Sequence, residues 1–272
     1  MSIHATAVID PSAVLGEGVS IGPYAIVGAE VTIGDGTEVG ASAHIEGPTS
    51  IGSANRIFPH ACIGFDPQDL KFEGERVTLD IGDRNVFREF STVNRGTGKG
   101  GGRTSIGSDG LFMAYAHIAH DCFVGDRTVF SNGATLAGHV EVADDAVVGA
   151  FSAVHQFCRV GKHAYIGGFS VVTMDALPFV KTVGHKPACF GLNRVGLKRK
   201  GLDEDALRHL ESAYRMLTRP GLNTSQALEK MRQEHADSDE VLYFAEFVES
   251  SGRGVIKALP GRRRARGGQS ED

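Results

Sequence analysis

Six of the eleven histidines lie between residues 117 and 185, and three of them keep step with an underlying repeat. His120 follows Ile118 by two residues, His139 follows Leu136 by three, and His155 follows Val154 by one. Those aliphatics are themselves 18 apart. His117 stands beside the first of the three histidines, Asp121 adjoins His120, and Gln156 adjoins His155. Grouped imidazoles suit two chemistries. Three of them can hold zinc and leave a position for water, as in a metal-dependent hydratase. Alternatively, one neutral ring with a pKa near ~6.5 can act as general base on a hydroxyl. His117 and His120 are three apart in an extended chain and point to opposite sides, and no further carboxylate cluster accompanies them, which weighs against metal. Cysteine nucleophiles are not expected. Cys122 and Cys158 each fall two residues before an aliphatic of the series, a small-residue core position, and read as packed thiols.

The elements that must position these residues come from a period of six. Ile3, Ile9, Leu15, Ile21, Val27, Ile33, Val39, Ile45, Ile51, Ile57 and Ile63 are all branched aliphatics. At an apolar fraction of 41%, eleven in one frame arise by chance about 5 times in 100,000. Glycine comes next at 16, 22, 28, 34, 40, 52 and 64. The frame resumes at Ile81, Phe87 and Val93, slips by one, and then runs unbroken from Ile106 to Val172. Six matches neither the 3.6 period of a helix nor plain strand alternation. It fits a mainly β fold, a parallel β-helix in which each hexad forms a short strand and a corner with its aliphatic inward. Three hexads close a coil, so the in-phase positions predict roughly eight or nine coils spanning about 40 Å at ~4.8 Å each. Glycine at the corners is expected to accept backbone angles that other residues resist. His120, His139 and His155 then stack near one corner of three successive coils, about 5 Å apart.

Two segments break the frame, near 65–78 and 95–104. A solenoid ejects such insertions as loops at its corners, often on the binding face, and the first carries Gln68, Asp69 and Lys71. After Ala176-Leu177-Pro178 the hexads stop. Ala206, Leu207, Leu210, Ala213, Tyr214 and Leu217 have helical spacing with Asp203 as cap, and further helices are expected around Ala227–Met231 and Val241–Val248. The domain reading is a β-helix over 1–190, an α-helical region over 191–257, and a basic tail over 258–272, expected to be disordered.

The chain has 272 residues, a net charge of −5 and 22% charged residues. This is ordinary for a soluble protein and excludes a disordered or nucleic-acid-coating one. The absence of tryptophan suits a core made of one aliphatic column per face. The N-terminus shows no basic-then-apolar leader, and no apolar run approaches the ~18 residues of a membrane span. Four scattered cysteines are no disulfide framework, so a cytoplasmic location is expected.

Several stretches resemble the family of UDP-N-acetylglucosamine acyltransferases. They are Ala116-His117-Ile118-Ala119-His120-Asp121-Cys122, Ala134-Thr135-Leu136-Ala137-Gly138-His139, Ala153-Val154-His155-Gln156-Phe157-Cys158, and Gly191-Leu192-Asn193 with Gly196-Leu197-Lys198-Arg199. The loop Asp66-Pro67-Gln68-Asp69-Leu70-Lys71 fits as well, and the similarity runs from residue 3 to about 257. The resemblance implies a left-handed β-helix, a helical C-terminal region, and a homotrimer with sites in clefts between subunits. It implies transfer of an (R)-3-hydroxyacyl group from acyl carrier protein to the 3-hydroxyl of UDP-N-acetylglucosamine at the start of lipid A synthesis, without a cofactor. In it His120 is the general base, Asp121 orients the ring, and the Gly138 N–H stabilises the oxyanion. Gln68, Asp69, Lys71, His117, His139, His155, Gln156, Asn193 and Arg199 match substrate-binding positions. Gly168 matches the position that limits acyl length, its missing side chain leaving room for a chain near 14 carbons, with Tyr165 close by. Lys198, Arg199 and Lys200 form a basic group for the diphosphate or the acidic carrier protein. Two alternatives stay open: N-acylation of a UDP 3-amino sugar on the same fold, and a metal hydratase of the gamma carbonic anhydrase type.

Overall fold

Short parallel strands, each hydrogen-bonded to the strand one coil later, wind the chain into a three-sided prism, a left-handed parallel β-helix. The computed structural model describes residues 2–257, so the tail expected over 258–272 lies outside the described residues. The first sheet has eleven strands and runs from Ser2–Ile3 to Ala188–Leu192. The second has nine, from Val8–Ile9 to Val171–Val172, and the third has eight, from Val14–Leu15 to Arg159–Val160. Register follows the hexads: Ile118 pairs with Leu136, Leu136 with Val154, and Val154 with Val172. Inside the prism the aliphatic columns are sealed from water, and Phe87, Phe112 and Phe130 stack along the axis at 4.6 and 5.1 Å. Only the opening coil departs from this. Ile3 is 44% exposed because nothing stacks beneath it.

The corners correct the glycine expectation. Left-handed backbone is taken mostly by residues with side chains, among them Asp121 (φ 58°), His139 (61°) and Phe157 (63°). Such angles cost about 1–2 kcal/mol each. The cost is offset by coil-to-coil hydrogen bonds, such as His139 N–H to the His120 carbonyl (3.1 Å) and Phe157 N–H to the Gly138 carbonyl (3.3 Å). The hexad glycines serve another purpose: a Cβ at Gly34 or Gly40 would run into the backbone of the next coil.

Both frame breaks leave the corner between the second and third sheets, linking Cys62–Phe65 to Thr78–Ile81 and Thr92–Asn94 to Arg103–Ile106. At the C-terminal end the first sheet goes beyond the hexads. Val180–Val183 pairs parallel with Tyr165–Ile166, and Ala188–Leu192 folds back antiparallel. A hairpin has no six-residue corner, so this period cannot reveal it. Helix α1 (Arg194–Arg199) has one buried residue, Leu197, too few for a spacing signal. Helices α2 (Glu204–Thr218), α3 (Thr224–Glu234) and α4 (Asp239–Glu249) start at the side-chain caps Asp203, Asn223 and Ser238. The chain then returns to the prism, where Asp175 bonds Gly254 and Ile256 through its backbone.

Candidate active site

Residues 18 apart touch across the corner between the second and third sheets, and this register assembles the histidines. Gly138 sits one coil above His120, and a Cβ there would overlap the imidazole; only glycine lets the ring lie against the backbone. His139 stacks above Asp121, meets the His120 ring edge-on at 5.1 Å, and lies flat on Phe157 at 4.4 Å. His155 and Gln156 occupy the next coil on the same edge. His117 faces outward from its strand, with Nδ1 2.7 Å from the Thr92 hydroxyl.

His120 Nδ1 is 2.8 Å from Asp121 Oδ2. Asp121 is buried, and both its oxygens are occupied. Oδ1 accepts the Thr97 N–H at 2.9 Å, and Oδ2 accepts the Thr97 hydroxyl at 2.6 Å as well as the imidazole. Its own N–H donates to Thr104 Oγ1 at 2.8 Å. With Nδ1–H held by a carboxylate, the lone pair sits on Nε2, which makes no hydrogen bond among the described residues. The Gly138 N–H also donates to no acceptor among them. This distinguishes it from its counterparts at the corner between the third and first sheets, where aspartates one coil up cap Glu17, Ser53, Ser108 and Asp126 at 2.7–2.9 Å. Gly138 and the His120 ring therefore lie against each other on one edge of the prism.

Donor atoms of His120, Asp121 and His139 lie within 4.8 Å of one another, but the carboxylate is already saturated with protein donors. His117 and His155 stand outside this group, so the cluster is two imidazoles and one carboxylate rather than three converging imidazoles. Burial pushes the Cys122 thiol up to about 12 and that of Cys158 to about 11, in keeping with packed thiols. Burial, and secondarily the charge of His120, lowers the pKa of His117. Burial lowers that of His139 too, opposed by the negative charges of Asp121 and Asp69. Asp69 thus acts on the ridge from the first loop, while Gln68 and Lys71 are exposed beside it.

Three expected site residues are elsewhere. Gly168 is at the corner between the first and second sheets, just after the strand that carries Tyr165 and next to the exposed Phe151–Phe169 stack. Asn193 caps α1 and bonds the Phe179 carbonyl at 2.8 Å by the corner between the third and first sheets. Arg199 ends that helix. Of the basic triplet, Lys198 pairs with Glu204 and Lys200 with Asp145, whereas Arg199 has no ion pair among the described residues. The cleft beside His139 and Phe157 holds only 330 Å³, and cavities of 600–720 Å³ contain none of the ridge histidines. Sequence reasoning missed Thr92, Thr97, Thr104, Phe157 and Arg253, whose guanidinium is 3.5 Å from His155 Nδ1. Of these, only Phe157 was signalled, by its 18-residue distance from His139.

Residues 175–256 match the family described as Udp N-acetylglucosamine O-acyltransferase, domain 2. The chain is 50% identical over 259 residues to the acyl-[acyl-carrier-protein]–UDP-N-acetylglucosamine O-acyltransferase of Stenotrophomonas maltophilia (strain K279a), covering 94% of this chain and 97% of that relative. It is 52% identical over 256 residues to the protein of the same name from Thiobacillus denitrificans, covering 94% and 99%. The solved UDP-N-acetylglucosamine acyltransferase of Campylobacter jejuni superposes with a TM-score of 0.90 at 37% identity, over 95% and 100% of the two chains. That of Francisella novicida gives 0.89 at 37% identity, over 94% of each.

The buried histidines set a pH dependence. Burial also depresses the pKa of His163. Below 6.5, the value for free histidine, the unfolded chain takes up protons that folded His117 and His163 refuse. Stability is therefore full above that value and falls as pH drops through it toward the folded pKa values. Chemical denaturation at fixed protein concentration, from about pH 8 to about 5.5, should show this decline, and His117→Gln and His163→Gln should each flatten it. A profile unchanged by both variants contradicts the assignment.

Proposed function

This chain belongs to the UDP-N-acetylglucosamine O-acyltransferase family, and we propose that His120 is the general base of its reaction. It is an acyltransferase that moves an (R)-3-hydroxyacyl group from acyl carrier protein to the 3-hydroxyl of UDP-N-acetylglucosamine, opening lipid A synthesis. A thioester is already activated, so positioning plus a base contributing ~10²–10⁴ suffices. Nε2 of His120 takes the sugar hydroxyl proton as that oxygen attacks the thioester carbonyl. Asp121 stabilises the imidazolium that forms, and the uncapped Gly138 N–H receives the developing oxyanion. Loss of one such donor typically costs ~10²–10³ in rate. Collapse of the tetrahedral intermediate expels the carrier thiolate, which recovers the proton from Nε2. The observation that carries this reading is the His120–Asp121 bond with Nε2 left free.

The three prism edges support a homotrimeric assembly. His120 and its neighbours occupy one, Gly168 a second, and Asn193 with Arg199 a third, so a single prism cannot present them to one substrate. In a three-fold homotrimer, different edges of neighbouring subunits face each other. The sites then lie between subunits. Asp69 and Lys71 contact the sugar nucleotide, and Arg199, the one cation of its triplet without an ion pair among the described residues, meets a phosphate. The Phe151–Phe169 wall lines the acyl groove, with Gly168 as its ruler. No helix of the described residues is long and apolar enough to cross a membrane, and a cytoplasmic location is part of this reading.

His120→Ala should nearly abolish formation of the 3-O-acyl product from UDP-N-acetylglucosamine and hydroxyacyl carrier protein, with assembly unchanged. Retention of most of the turnover removes the proposed base. Offering the 3-amino sugar nucleotide in parallel, with mass analysis of the product, separates ester from amide formation. Gly168→Met puts a Cβ 3.3 Å from the Ala150 carbonyl oxygen, a tight contact that asks its neighbour to give by a few tenths of an ångström. It should shift preference to shorter donors; unchanged chain selectivity contradicts the ruler.

A further inference from the structure

The second loop lies across the carboxylate that orients His120. Thr97 is 5% exposed. Its hydroxyl, 2.6 Å from Asp121 Oδ2, shares that oxygen with the imidazole, while its N–H holds Oδ1. Gly100 closes over the same group so tightly that a Cβ there would overlap the carboxylate. The loop is itself braced. Arg95 reaches the carbonyls of Gly47 and Gly64 and the carboxylate of Asp66. Glu75, from the first loop, accepts the Gly98 N–H at 2.9 Å, and the Asn94 amide donates to the Asp66 carbonyl at 2.8 Å. The loop carrying Asp69 and Lys71 is thereby tied to the loop that covers Asp121.

We propose that Thr97 is a positioning residue of the acyl transfer: through Asp121 Oδ2 its hydroxyl fixes both the orientation and the basicity of His120. This rests on the reading of His120 and Asp121 as the base and its orienting partner. An O–H donated to a carboxylate oxygen weakens that oxygen as an acceptor for any second donor. Without it, Oδ2 serves His120 alone and the imidazolium is better stabilised. The acid limb of kcat/KM then moves to higher pH, while a less constrained ring lowers kcat. The charged and titratable groups facing the pair are His117 from the same strand, His139 from the next coil, Cys122 beside Asp121, and Asp69 by way of His139. None is changed by substitution at 97. Thr97 also caps the short turn Gly98–Gly100, accepting the Gly100 N–H at 3.2 Å. A role limited to that cap would lower stability and leave the pH profile in place.

The test compares Thr97→Val, Thr97→Ser and His120→Ala in the full chain. Thr97→Val should lower kcat about tenfold or more with KM for both substrates within about twofold. It should also raise the acid limb by about half a pH unit, and Thr97→Ser should restore both readouts. Should the valine variant fail to assemble, Thr97→Ala, which adds no methyl against the carboxylate, carries the same readouts. A wild-type rate and pH profile in the hydroxyl-free variant overturns the proposal while an inactive His120→Ala leaves the base in place. An active His120→Ala overturns the base reading itself.

Discussion

Each coil hydrogen-bonds in register to the next, so a corner residue of the repeat is stacked against what lies one turn above and below it. That constraint puts Gly138 against His120, His139 over Asp121, and Phe157 against His139. It also makes the three prism edges chemically different from one another. Along the corner between the third and first sheets, aspartates recur one coil apart and each closes the N–H below it. Along the histidine edge nothing among the described residues closes the Gly138 N–H, and an imidazole stands beside it. The stacking that stabilises one corner is thus interrupted at another, where that donor and the proposed base lie together.

The two loops add what the repeat cannot supply. A solenoid built only of hexads would leave the Asp121 carboxylate at the prism surface, facing water at its corner. The second loop covers it, and the first reaches the same edge, so the side chains proposed to contact substrate and the buried supporting ones are carried on a shared framework. The C-terminal helices return the chain to the last coils through Asp175 and the Arg159 contact with Phe247. This brings Arg253 beside His155.

Much of this is legible in the residues. The aliphatic frame locates the strands, the frame breaks locate the loops, and Asp203 marks the start of α2. The shared 18-residue spacing places His120, His139 and His155 on one edge. What stays hidden depends on contacts that no period encodes. Thr97 reaches Asp121 across a loop whose path the repeat does not specify, and the hairpin ending at Leu192 lacks the corner that the hexads report. Lys198 and Lys200 read as free cations until Glu204 and Asp145 are placed against them. Family resemblance names Gly168, Asn193 and Arg199, but only the three-dimensional register shows them on edges away from the histidines.

The claim that the site is assembled from different edges of neighbouring subunits is tested most directly by mixing two defective chains. One lacks the His120 side chain, the other those of Asn193 and Arg199, and the two are co-expressed so that they share trimers. If each site takes one edge from each of two neighbours, about a quarter of all sites in a randomly assembled population combine two intact edges (about one in three within each mixed trimer), and acyl transfer returns to that level. If turnover in the mixed population stays at the level of the two defective homotrimers, the site is not shared between subunits.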